Sequence, residues 1–287
     1  MFILSNNTKT KAIDHLETLR LKKPLVHCIT NRVTMTECAN GLLASGAAPI
    51  MAEDVREVEN IVSISQALVI NIGTLMPLQV EAMIKAGKKA KAIGVPVIFD
   101  PVGAGATPLR DSVSKQILEE VKPDIIRGNM SEIRALYGFD GQTKGVEAAA
   151  SDYVTFENAE TAAKTVEELA KRYGCIVGAT GKIDIVSDGE NTYFIENGHE
   201  MLCKITGSGC VLSSLVGGFA GAAKRNDYLM STVSAFVLNG LSGEMAFEFV
   251  EKTGQGLGTF REKVMDYLYL IGRTEMDAGA KIYVLEK

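Results

Sequence analysis

The chain has 287 residues, 46% of them hydrophobic and 23% charged, with a formal net charge of −5. This is ordinary globular usage, which excludes disordered and collagen-like classes, and the negative balance gives no sign of a nucleic-acid surface. The N-terminal "MFIL" turns polar at once and no uninterrupted apolar run is long enough to cross a bilayer, so a secretory leader and a membrane span are not expected and a cytoplasmic location is.

Short β-branched runs alternate with helical patterns along most of the chain. In order, "LVHCI" (25–29) and "ALVINI" (67–72) read as buried strands. Segment 76–93 is a helix carrying Val80, Met83, Ile84 and Gly87 on one face. Strands follow at "VPVIFD" (95–100) and "PDIIRG" (123–128), then a short helix over 131–137. The polar, glycine-containing stretch 138–154 reads as a loop of the length often used for lids. A helix over 162–173 presents Ala162, Val166, Leu169 and Tyr173, and "CIVGAT" (175–180) is a further strand. Strand, helix, strand in repetition implies an α/β fold with a mainly parallel central sheet flanked by helices on both faces. After Thr180 the pattern changes to a hairpin around "SDGEN" and three helices, Ser208–Arg225, Tyr228–Val250 and Leu257–Arg273. No Pro/Ser linker or repeat divides the chain, so a single domain over 1–287 is expected.

Ligands of open α/β sheets sit beyond the carboxyl ends of the strands, and three predicted strand ends carry chemistry: Asp100, Arg127 and Thr180. Arg127 has the forked donors that suit phosphate oxygens. Asn129 and Glu132 are of the type that holds waters around Mg²⁺, or else they cap and charge the start of the next helix. Asp100 is either a site carboxylate or a turn residue satisfying the backbone of "PVGAG".

"TGSGC" opens the helix at 208. Successive amides of Gly207, Ser208, Gly209 and Cys210 at a helix N-terminus form an anion cradle, while a tight turn that lets the helix pack closely explains the same glycines. The common nucleotide motifs G-x-x-x-x-G-K-[ST] and G-x-G-x-x-G are missing. Cys210 reads either as an inert buried thiol or, at a helix N-terminus, as one with a lowered pKa. The five cysteines, Cys28, Cys38, Cys175, Cys203 and Cys210, lack any C-x-x-C pair, so a zinc site or disulfide framework is not expected. His27 and His199 read as core histidines and most methionines as packing, with Met51 set apart by its place after a strand in "AAPIMAED".

Together, "PLVHCITNRVTMTECANGLLASGAAPIMAED", "NIGTL", "VIFDPVGAGAT", "RGNMSEI", "DIVSDG" and "TGSGC" resemble, in order and from about Lys23 to Gly221, the hydroxyethylthiazole kinases, thiamine-salvage enzymes of the ribokinase-like superfamily. The resemblance implies ATP- and Mg²⁺-dependent phosphorylation of the primary alcohol of 4-methyl-5-(2-hydroxyethyl)thiazole. It implies Met51 and Gly207 on the thiazole alcohol, Arg127 and Thr180 on ATP, Asn129 and Glu132 around Mg²⁺ through water, and Asp100 beside the same phosphates. It further implies a homotrimer with the thiazole site at subunit interfaces. Cys210 stands where most ribokinase-like enzymes carry an aspartate base, which makes it the candidate catalytic residue and weighs against a related lyase that repairs hydrated nicotinamide cofactors. Ser208 stands where threonine is common and keeps the hydroxyl.

Overall fold

The computed structural model describes residues 2–139 and 154–285. Its strands are β1 (Phe2–Leu4), β2 (Leu25–Ile29), β3 (Ala48–Ile50), β4 (Ala67–Asn71), β5 (Val97–Asp100), β6 (Ile125–Asn129), β7 (Ile176–Thr180), β8 (Asp184–Ser187), β9 (Thr192–Ile195) and β10 (Ile282–Leu285). All ten join one sheet in the order β1-β10-β9-β8-β7-β6-β5-β4-β2-β3. From β3 to β7 neighbouring strands are parallel, and from β7 to β1 they are antiparallel. The expected mainly parallel sheet is present, and the predicted hairpin is β8–β9. All but the first two residues and the last of the predicted loop 138–154 lie outside the described residues.

The apolar runs are near-continuous because both faces of the parallel strands are covered. Alternation still sorts each strand's side chains: Leu68, Ile70, Val97 and Phe99 belong to one core and Ala67, Val69 and Ile98 to the other. The first core is closed by helices that include Pro77–Ile93 and Ala159–Tyr173, the predicted amphipathic pair. The second lies beneath Ser208–Ala222 and Tyr228–Thr253. The predicted third helix, 257–273, ends at Leu270, and a separate helix, Arg273–Gly279, follows after Ile271 and Gly272.

Helix Ser208–Ala222 rests directly on the parallel strands. A Cβ added at Gly217 would stand 2.5 Å from Val69 Cγ2 and 3.1 Å from Val26 Cγ1, so the helix backbone approaches the sheet to a depth only glycine permits. Gly217→Ala therefore overpacks this contact. We expect a loss of about 1–3 kcal/mol despite alanine's helix preference of roughly 1 kcal/mol, read as a lower urea midpoint with unchanged slope. An unaltered or raised midpoint would refute the close seat.

Candidate active site

The parallel strands end along one edge of the sheet, and the strand order sets their polar residues in a row. Met51 follows β3, Asn31 follows β2, Asn71 ends β4, Asp100 ends β5, Arg127 and Asn129 lie in β6, and Thr180 ends β7. Helix Ser208–Ala222 starts over the middle of this row. Its N-cap is Gly207, in the left-handed region at φ 88°, and no side chain caps it. The first turn closes with Val211 N–H donating to Gly207 O at 2.8 Å. The amides of Ser208, Gly209 and Cys210 precede that bond and face whatever occupies the turn.

Both glycines of the turn have close neighbours. A Cβ at Gly207 would meet Thr34 Cγ2 at 2.7 Å, and one at Gly209 would meet Arg127 Nη1 at 2.8 Å. The tight-turn reading holds at both glycines, and at Gly209 the backbone is bare because the Arg127 guanidinium lies against it. Arg127 is buried and donates from Nη2 to Thr180 Oγ1 at 2.8 Å, joining two predicted residues. Its Nη1 stands 3.9 Å from Asp100 Oδ2, and its Nε is buried without a partner.

Cys210 sits in a hydrogen-bond network of fixed polarity. Thr34 N–H donates to Asn31 Oδ1 (3.1 Å) and Gly73 N–H donates to Asn71 Oδ1 (2.9 Å). A backbone amide can only donate, so both carboxamides are oriented by it. Their Nδ2 groups then point at the thiol: Asn31 Nδ2 donates to Cys210 Sγ at 3.2 Å and Asn71 Nδ2 at 3.3 Å. Sulfur is thereby held as an acceptor. Burial pushes the Cys210 thiol above its ordinary pKa and the Asp100 carboxylate adds to this, against the lowering by Thr34, Asn71 and Asn31. The fall expected from the helix N-terminus alone is reversed, because the site is enclosed and shares its space with a carboxylate.

Asp100 is fully buried. Its Oδ2 accepts from Asn71 Nδ2 (2.8 Å) and Ser213 Oγ (2.7 Å), while Oδ1 is buried without a partner. Burial pushes its pKa up to about 7, against the nearby Arg127 charge. Asp184, at the start of β8, accepts from Gly181 N at 2.9 Å, and burial pushes it to about 7 as well. Both carboxyls feel the Arg127 charge yet are partly neutral near pH 7, which lessens their repulsion of an anionic ligand.

Asn129 and Glu132 form a capping box for helix Met130–Gly138. Asn129 Oδ1 accepts from Glu132 N at 2.9 Å, and Glu132 Oε2 accepts from Asn129 N at 2.8 Å. Glu132 Oε1 also accepts from Gly103 N at 2.8 Å, tying the "PVGAG" turn to β6. Arg110 reinforces that turn, donating from Nη1 to Ile72 O (2.7 Å) and Val102 O (2.5 Å) and from Nη2 to Gly73 O (2.9 Å). Met51 lies just past the end of β3, the edge strand beside β2, and packs against the second core. Among the described residues no group of three or more His, Cys, Asp and Glu forms a cage for a metal. None of their helices is long and apolar enough to cross a membrane.

Sequence reading missed Asn31, Asn71, Ser213, Asp184 and Arg110. An asparagine closing the otherwise apolar "ALVIN" run, and another just past "LVHCI", were the available signal.

The mainly parallel sheet flanked by helices, with the N-terminus of Ser208–Ala222 above its strand ends, is the ribokinase-like fold. Fold-level likeness agrees: a pyridoxal kinase from Staphylococcus aureus in complex with AMP-PCP superposes with TM-score 0.54 at 14% identity, over 77% of this chain and 87% of that one. A ribokinase-like superfamily protein from Enterococcus faecalis superposes at TM-score 0.60 and 13% identity, over 92% and 95%. The match to the hydroxyethylthiazole kinase family model covers residues 16–273, and the chain belongs to that family. A hydroxyethylthiazole kinase of Clostridium botulinum (strain Eklund 17B / Type B) is 45% identical over 98% of this chain and 99% of its own length. One from Clostridium beijerinckii is 47% identical over 92% and 93%. The structure of hydroxyethylthiazole kinase protein from Pyrococcus horikoshii OT3 superposes at TM-score 0.86 and 38% identity, over 96% of this chain and 100% of that one.

Asp100 ionises less readily in the fold than in the unfolded chain, so it costs stability as pH rises from about 4 to about 7. Asp100→Asn removes that cost. Without nucleotide or metal, its thermal midpoint should exceed that of the unsubstituted protein by roughly 2–6 °C at pH 8, with the gap narrowing toward pH 5. A midpoint at pH 8 equal to or below the unsubstituted protein's would contradict the shift.

Proposed function

We propose that the chain, as one kinase domain over residues 1–287, transfers the terminal phosphoryl group of ATP to the primary alcohol of 4-methyl-5-(2-hydroxyethyl)thiazole. This is a thiamine-salvage step that belongs in the cytoplasm, where ATP is held. The observation carrying the reading is the bare amide turn 208–210 enclosed by Arg127 on one side and the acceptor-held Cys210 Sγ on the other.

The alcohol oxygen forms a bond to the terminal phosphorus of ATP, the bond from that phosphorus to ADP breaks, and the alcohol proton passes to solvent as the new ester forms. The transition state spreads negative charge over the transferred group, so positioning and charge stabilisation do most of the work. Arg127 and Thr180 hold the phosphates from the β6 and β7 side. The amides of Ser208, Gly209 and Cys210, with the positive end of the helix, stabilise the moving group. Gly207 and Met51 border the alcohol. The Cys210 thiol, its sulfur held by Asn31 and Asn71, lies beside the hydroxyl and orients it. A loose transition state needs little prior deprotonation, so the step does not depend on Cys210, a thiol of raised pKa, acting as a base.

The donor set suits a hydrated Mg²⁺. Each Glu132 oxygen takes one backbone amide and keeps a lone pair for a metal-bound water, and Asp100 Oδ1 is without a partner. Asp100, Asn129 and Glu132 would hold the ion through water, and the ion when bound neutralises phosphate charge.

The proposed assembly is a homotrimer with the alcohol site at the boundary between copies. In its support, β3 is an edge strand, and Val33, Leu43 and Ile64 are exposed on the segments around it.

Incubating the protein with ATP, Mg²⁺ and the thiazole alcohol should give the thiazole monophosphate and ADP by mass spectrometry. Arg127→Ala should lower kcat/KM for ATP about 10–100-fold by removing charge-assisted hydrogen bonds. ATP binding without any phosphorylated thiazole would replace the kinase reading with that of a nucleotide sensor.

A further inference from the structure

His27 is fully buried in the middle of β2, paired with Ile50 of β3 and Leu68 of β4. An apolar residue would suit that position, as Val26 and Cys28 do on either side. The ring instead carries a buried Nδ1 with no partner, an acceptor withdrawn from water without return. Its other nitrogen explains its presence: Nε2 lies 2.7 Å from Ala52 O. A carbonyl oxygen only accepts, so Nε2 carries the hydrogen and the ring is the neutral Nε2–H tautomer. Burial lowers its pKa, consistent with the neutral form.

Ala52 is the residue after Met51, where the chain leaves the edge strand and runs without regular structure to Asp54. Further along, Glu53 accepts from Arg32 Nη2 (3.2 Å) and Gln79 Nε2 (3.1 Å), and Lys85 Nζ donates to Val55 O (3.0 Å). The His27 bond is the tether on the backbone next to Met51. We propose that His27 is a positioning residue for the alcohol side of the site, holding the Ala52 carbonyl so that Met51 is fixed as the wall against the thiazole ring. This rests on the proposed thiazole kinase reading. His27 touches neither substrate and acts through Ala52 and Met51, so it governs alcohol recognition and leaves the ATP side unaffected.

The test compares His27→Phe, which fills the space without a donor, with His27→Gln, whose amide nitrogen can reach the same carbonyl. His27→Phe should raise KM for the thiazole alcohol on the order of 10-fold, the value of one hydrogen bond. KM for ATP and kcat at saturation should stay within about 3-fold, and His27→Gln should recover most of the alcohol KM. An unchanged alcohol KM in His27→Phe would overturn the proposal. So would a parallel loss for both substrates that glutamine does not restore, since that is the mark of a purely structural role.

Nitrogen NMR of the unsubstituted protein supplies a second arm that needs neither variant folding nor turnover, and only His15, His27 and His199 contribute. His27 should show the Nε2–H tautomer, with a resonance that moves on adding the thiazole alcohol and not on adding ATP. The Nδ1–H tautomer, or no response to the alcohol, would overturn the proposal. An unsubstituted protein that binds ATP yet makes no thiazole phosphate would instead overturn the functional reading.

Discussion

The depth at which helix Ser208–Ala222 sits on the parallel strands determines the geometry of the whole site. Gly217 has no side chain between the helix and Val69 and Val26, so the helix axis is held close to β2 and β4. That seat fixes where its first turn emerges. Ser213 reaches Asp100, Cys210 comes within reach of the carboxamides of Asn31 and Asn71, and Gly209 meets the guanidinium of Arg127. A helix one methyl group further out would separate all three contacts at once, since they radiate from a single rigid element.

The chemistry follows from what this seat encloses. Burial is the dominant influence on both titrating groups of the centre, raising the Asp100 carboxyl to about 7 and lifting the Cys210 thiol above its ordinary value. A phosphate-binding pocket gains from this, because fewer fixed negative charges oppose the ligand while Arg127 keeps its own. The thiol is correspondingly a poor proton acceptor and a well-placed hydrogen-bond acceptor. Phosphoryl transfer tolerates that combination, since orientation and charge stabilisation matter more than early deprotonation.

Much of this was legible in the sequence where the signal is local. Five strands of the parallel region and the helices at 76–93 and 162–173 follow from continuous apolar runs and helical spacing, and the strand-end rule selected Asp100, Arg127 and Thr180 together. The strands β1 and β10 were not legible: each has only three or four residues, and their pairing of Phe2 with Leu285 joins opposite ends of the chain. Asn31 and Asn71 were hidden for a different reason. Their importance lies in amide orientations set by Thr34 and Gly73, which are tertiary facts. The direction of the Cys210 shift likewise depends on enclosure and on Asp100, neither of which is encoded near residue 210. Of the two readings of Asn129 and Glu132, the structure shows the cap that starts helix Met130–Gly138.

In the proposed mechanism the moving phosphoryl group sits on the amides of 208–210 with the alcohol oxygen beside Cys210. A crystal structure with ADP, Mg²⁺, a planar metal fluoride standing in for the transferred group and the thiazole alcohol tests it most directly. The fluoride should lie within hydrogen-bond distance of those amides and the alcohol oxygen against Cys210 Sγ. A fluoride group bound elsewhere, with the 208–210 amides left to solvent, would contradict it.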